Sequence, residues 1–219
     1  MQSQRLRRTS AGFTVVEIAI AMTILVVMLA SFGAFQALSQ EASQSLVLRT
    51  ELERRADRAL HAIRLQLRGA EASTLVPPPT SDFGSDTIQF RTPGDVTAAG
   101  VIVWNAPTRI AIQMDAREAD NGLDDDGDGR IDERMLVVTR EIGTPDERSV
   151  TICHGLAAWA EGETGGNAID DNGNGVIDER GFNVSRVGDL LFLRLTLESR
   201  AEDGRILRCT TSTAIVLHN

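Results

Sequence analysis

Lysine and tyrosine are missing from the 219-residue chain, so all 22 of its cationic side chains are arginine. This is a bias of composition rather than a sign of function. Cationic charge is also outnumbered: 31 aspartates and glutamates bring the net charge to −9 and the pI to about 4.9, which removes nucleic acid as an automatic partner. Histidine is scarce and scattered, at positions 61, 154 and 218, and gives no zinc-ligand spacing. Neither a glycine-rich phosphate loop nor a nucleophile elbow is present. Cys153 and His154 are adjacent, but neighbours on a strand point to opposite faces, which argues against a nucleophile–base pair. Enzyme chemistry therefore has no foothold in the sequence. The length suits one domain plus a long accessory element rather than two full domains.

What the chain does have is one long apolar stretch near its start. Phe13 to Leu38 reads FTVVEIAIAMTILVVMLASFGAFQAL, with Glu17 as its single charge. As a helix it is long enough to cross a hydrocarbon core of ~30 Å. Arg5, Arg7 and Arg8 precede it, which places the amino terminus on the cytoplasmic side. A cleavable secretory signal has a shorter apolar region with the small-residue site after it, whereas here the small residue comes first. A generic anchor has no reason to carry a carboxylate in its first turns, since such a group costs roughly 2.5–3.5 kcal/mol inside a bilayer.

The arginine-rich leader, then Gly12, Phe13, Thr14, Val15, Val16, Glu17 and an unbroken apolar helix, resembles the class III signal of type IV prepilins. The resemblance implies cleavage between Gly12 and Phe13 by a prepilin peptidase, methylation of the new Phe13 amine, and retention of the apolar segment. It also implies an assembly role for Glu17, paired with the terminal amine of a neighbouring subunit, since pairing offsets part of the desolvation of two buried charges. Pairing of Glu17 with its own amine, which only orients the helix, is the alternative.

Beyond Leu38 the positions Ala42, Ser45, Leu52, Ala56, Ala59, Ile63, Leu67 and Ala70 follow three- and four-residue steps, the pattern of an amphipathic helix. Pro77-Pro78-Pro79 closes the run. One helix from Phe13 to about Glu71 is expected, ~90 Å long at 1.5 Å per residue. Strand-like runs follow at Thr87–Arg91, Val101–Asn105, Arg109–Met114, Met135–Ile142, Ser149–His154, Asn183–Val187, Leu190–Glu198 and Ile206–Leu217. The last two, joined across Asp203-Gly204, form the clearest hairpin. The expected fold is α+β: a pilin-type helix, membrane span plus amphipathic half, packed on an antiparallel β-rich head. The expected division is a leader at 1–12, a helix at 13–75 with its span at about 13–38, and a periplasmic head at 76–219. This arrangement is similar to the J-type minor pseudopilins of type II secretion and to related minor pilins. That likeness implies an inner-membrane, single-pass subunit whose partners are the prepilin peptidase, other pilins or pseudopilins and the assembly platform. A pilin for DNA uptake and a pilin-anchored, calcium-dependent adhesin are the alternatives, and the acidic balance speaks against the first.

Two acidic segments repeat. Asn121-Gly-Leu-Asp-Asp-Asp-Gly-Asp-Gly-Arg-Ile-Asp-Glu133 returns as Asn167-Ala-Ile-Asp-Asp-Asn-Gly-Asn-Gly-Val-Ile-Asp-Glu179, with Asp124 and Asp170 46 residues apart. Asp124, Asp126 and Asp128 alternate in one copy, and Asp170, Asn172 and Asn174 in the other. Alternating oxygen donors about a tight glycine turn suit Ca²⁺, which takes 6–8 oxygens. Gly129 and Gly175 stand at the sharp turn, Arg130 and Val176 offer backbone carbonyls, and Ile131 and Ile177 are expected to point inward. Asp132, Glu133, Asp178 and Glu179 complete the expected shells. The twelfth position of an EF-hand is Met135 or Gly181 here, so the loops are closer to the short calcium loops of repeat and cell-surface proteins. The expected ion is structural, and a solvated acidic turn is the alternative. Cys153 and Cys209 permit one disulfide across the second loop, with two buried free thiols as the alternative. Trp104 and Trp159 are expected in the core or at an interface.

Overall fold

The computed structural model describes residues 14–79, 82–121, 123–127, 132–201 and 204–217. Thr14 and Glu17 open the first helix, α1 (Val15–Leu67, 53 residues), with a capping box: the Glu17 N–H donates to Thr14 Oγ1 at 3.2 Å, and the Thr14 N–H donates back to Glu17 Oε2 at 2.8 Å. Two donors that a helix start leaves orphaned are thereby satisfied. Residues Val15–Gln36 are long and apolar enough to span a membrane, and side chains such as Ile18, Met22, Leu25 and Leu29 are exposed.

The chain divides into two compact units, one ending at Leu46 and the other starting at Val47. The division falls inside α1, not at the expected 75/76 boundary, because the helix's later turns belong to the core of the second unit. There Leu52, Ala56, Ala59, Leu60, Ile63 and Leu67 are buried among residues of the sheet. From Leu52 on, the stripe read from the sequence is thus the packing face, with Leu60 added to it, while Ala42 is exposed and Ser45 half-buried. The helix ends at Leu67, ahead of the three prolines. Gly69, a poor helix residue, stands two residues on, and Ala70 and Leu75 turn into the same core.

Among the described residues nine strands follow: β1 (Thr87–Phe90), β2 (Pro93–Val96), β3 (Ile102–Trp104), β4 (Thr108–Met114), β5 (Arg134–Arg140), β6 (Arg148–Leu156), β7 (Phe182–Val187), β8 (Leu190–Arg200) and β9 (Ile206–Val216). The main sheet runs β1-β4-β5-β6-β8-β7, with β9 also paired to β8, while β2 and β3 form a separate ribbon. The pairings are antiparallel, so the chain has the α+β character expected. The β8–β9 hairpin pairs in register from Leu190–Val216 to Arg200–Ile206. Alternation explains the core: Leu191, Leu193, Leu195 and Leu197 on β8 are fully buried, as period-two residues on one face must be. One edge of β8 is shared, for β7 covers Leu190–Leu195 and the end of β6 meets it at Leu197.

Candidate metal centre

The two acidic segments are the β4–β5 and β6–β7 connections, and both are built the same way. Each is closed at its base by a backbone pair. The Asp115 N–H donates to Glu133 O at 2.9 Å, and the Ala160 N–H donates to Glu179 O at 2.8 Å. Three residues on, a buried glutamate turns under each loop. Glu118 Oε1 accepts the Asp126 N–H at 3.1 Å, and Glu163 Oε1 accepts the Asn172 N–H at 3.2 Å. The amide of the following residue then reaches the middle acid, Ala119 to Asp125 and Thr164 to Asp171. Asn121 and Asn167 donate side-chain N–H groups to those same acids, and their own oxygens accept from Leu123 and Ile169. The repeat is therefore a longer module than its acidic centre.

Within the first loop, carboxylate oxygens of Glu118, Asp124 and Asp126 lie within 4.8 Å of one another. Oxygens sharing one Ca²⁺ at 2.3–2.6 Å are separated by distances of this order. Glu118 is 9 % exposed, so its charge is largely withdrawn from water. Asp128, Gly129, Arg130 and Ile131 lie outside the described residues. Asp132 and Asp178, expected as ligands, also latch the loop to its entry. Asp132 accepts the Asn121 N–H. Asp178 accepts N–H groups from Gly166, Asn167 and Ala168. Both sit at positive φ, 51° and 47°, where the chain reverses toward its strand.

In the second loop Asp170 receives the Asn174 and Gly175 amides, at 3.0 and 2.7 Å. Gly175 has φ 89°, a conformation that disfavours any side chain. Asn172 and Asn174 also accept local amides, from Asn174 and Val176. Burial differs from the expectation here: the Val176 side chain is buried and Ile177 only half-buried, because the Ile177 N–H is drawn to Asp82 O at 2.8 Å. Glu179 is 1 % exposed. It takes a hydrogen bond from Asn174 Nδ2 at 2.6 Å and an ion pair from Arg194 at 3.4 Å. Burial pushes its carboxyl pKa up, against those two partners, and the negative charge of Glu163 adds to the rise. Asp171, by contrast, is held below the usual carboxylate range by the Asn167 side chain.

Glu118 and Glu163 escaped the sequence reading because they precede Asn121 and Asn167 by three and four residues, outside the strict 46-residue repeat. Aligning the copies with a single gap brings them together, while Arg134 and Arg180 already match in the 46-residue repeat. The gap falls near Gly165, where an added Cβ would lie 1.8 Å from the Trp159 ring. Trp159 is stacked in turn under the Arg180 guanidinium at 4.0 Å, a cation–π contact.

The expected disulfide does not form. Cys153 on β6 and Cys209 on β9 are free and buried, and β8 runs between them. Strands two apart are ~9–10 Å distant, beyond the ~7 Å that a disulfide can bridge. Burial raises both thiol pKa values, that of Cys153 to about 11. Cys153 is buried while His154 is exposed, as strand alternation requires. Glu17 is described above in its capping box; Gly12 and Phe13 lie outside the described residues. Comparison with protein-family models, curated proteins and solved structures finds no match to this chain.

Proposed function

We propose that this chain is a type IV pilin-like structural subunit, a minor pilin or pseudopilin of a type IV pilus or a type II secretion pseudopilus. In this reading the prepilin peptidase cuts after Gly12, Phe13 is N-methylated, and the subunit sits in the inner membrane with its head in the periplasm. An assembly platform then extracts it, and Glu17 with the apolar helix sets its register among other pilins. Its role is non-enzymatic, and calcium stabilises the acidic loops of the head.

The observation that carries the reading is one helix serving two tasks. Val15–Gln36 is apolar, exposed and of membrane-spanning length, and the same helix continues to Leu67. Its last turns lie in the core of the β-rich unit. A removable secretory signal has no use for a helix continuous with a folded core. The Thr14–Glu17 capping box is compatible with processing at Gly12, since it uses no residue before Thr14.

Mass spectrometry of the protein expressed with a prepilin peptidase tests this. The expected product begins at N-methylated Phe13, and Gly12→Val leaves the leader attached. Cleavage after the apolar segment would refute the reading. Deleting the gene in its own organism then separates the machines: loss of exoprotein secretion with pili intact marks a pseudopilin, and the reverse marks a minor pilin.

A further inference from the structure

The buried carboxylates beneath the second loop are short of positive charge. Glu163 and Glu179 are 8 % and 1 % exposed, and Glu163 is close enough for its charge to disfavour that of Glu179. Arg194 is the guanidinium beside them, and it turns to Glu179 and to the Asn174 carbonyl. Glu179 is further satisfied by Asn174. Glu163 is not: Oε1 accepts the Asn172 N–H, while Oε2 is buried with no hydrogen-bond partner. An ionised oxygen in that condition is costly unless a cation meets it. The segment that carries it is pressed against the loop, since a Cβ on Gly162 would come 3.0 Å from Asn172 Cβ.

We infer that Glu163 is a ligand of a divalent, calcium-type cation bound in the second loop, its Oε2 meeting the ion from beneath. The inference rests on the reading that the loops hold calcium, and it adds to the expected ligand set a buried glutamate that stands ahead of the loop. The first loop supplies an internal parallel. Glu118 occupies the same place and accepts the matching loop amide on Oε1, with Oε2 taking the Asp132 N–H at 3.3 Å, and there its carboxylate groups with Asp124 and Asp126. Oxygen-only donors, carboxylate and amide together, favour Ca²⁺ over transition metals. Each module is therefore clamped from two sides, by acids of its centre and by a glutamate from its entry.

The test uses the full-length protein in detergent micelles, with Tb³⁺ as a luminescent probe for Ca²⁺. Trp159 packs on Gly165 within the second module, so tryptophan-sensitised terbium emission reports that site, and Trp159→Phe removes the signal. Wild type is expected to show this emission, displaced by Ca²⁺. Glu163→Gln is expected to weaken calcium displacement by about tenfold or more, while Asp124→Asn in the first loop leaves the Trp159 signal unchanged. With chelator present, Glu163→Gln should melt no lower than wild type, because a buried unpartnered charge has been removed. Should that variant fail to fold, Glu163→Asp keeps the charge, withdraws the oxygen by one methylene, and is also expected to bind more weakly. Wild-type affinity in the variant that folds overturns the assignment of Glu163 and leaves the loops as calcium sites. If wild type shows neither sensitised emission nor a calcium-dependent melting temperature, the calcium reading falls and this inference with it.

Discussion

Ile63→Ala probes whether the second half of α1 is structural core or merely an extension of the anchor. Ile63 is completely buried, amid Leu60, Leu67 and the β8 leucines of one cluster. The substitution deletes about three methylene equivalents at ~0.8 kcal/mol each, and a cavity term follows because a core held between a helix and a sheet collapses only in part. The sum is about 3–4 kcal/mol. For a unit of this size each kcal/mol lowers the melting temperature by roughly 2–4 °C, so a drop of about 10 °C is expected. Near-ultraviolet circular dichroism follows Trp104 and Trp159, both in the β-rich unit, through thermal and urea unfolding of the full-length protein in detergent. Val47→Ala serves as the control, for Val47 is 68 % exposed and its loss should cost under ~0.5 kcal/mol. A cost below about 1 kcal/mol for Ile63→Ala would refute the argument that the helix face is part of the core.

Two further predictions concern the sheet and its thiols. Gly181→Ala should destabilise the β-rich unit by roughly 1–3 kcal/mol, because the new Cβ would fall 2.0 Å from the Ala157 carbonyl oxygen; urea midpoints measure it, and a neutral result would rule out that close approach. Native protein at pH 8 should leave Cys153 and Cys209 unlabelled by a thiol reagent, while both label in denaturant without reductant; a requirement for reductant would restore the disulfide. The pH dependence follows from the raised Cys153 pKa. Burial of the neutral thiol contributes fully below the model-peptide value of 9.0 and is lost as pH rises through about 11.

Much of this architecture was legible because local and tertiary demands agree. The three- and four-residue steps from Leu52 to Ala70 mark the face that the sheet covers, and alternating leucines on β8 announce a half-buried strand. The strand at Pro93–Val96 was missed because Pro-Gly reads as a turn, and its exposed ribbon has no buried face to leave a pattern. The cysteine pairing failed for a topological reason: an even count says nothing of which strand intervenes. The ligand set was legible only in its centre. That Asp132 and Asp178 also accept backbone amides from the loop entry was not legible, since the fold brings those amides to them. The Thr14–Glu17 cap stood in plain view as T-x-x-E, hidden by the more conspicuous charge in an apolar run.

The shared edge of β8 gives the second module a mechanical task. β8 and β9 are zipped together from Leu190 to Arg200, but β6 meets β8 at the single register pair Leu156–Leu197, helped by the Ala157 amide on Thr196 O. The sheet thus has a seam there, with β1, β4, β5 and β6 on one side and β7, β8 and β9 on the other, and the Ser85–Val184 bridge ties the two sides at a second place. Such a seam opens at lower free energy than the strands flanking it. The chain crosses from one side to the other through residues 157–181, so the module is the hasp across the joint. Whatever stiffens it is expected to slow the exchange of the Ala157 and Thr196 amide protons, which sit at that joint.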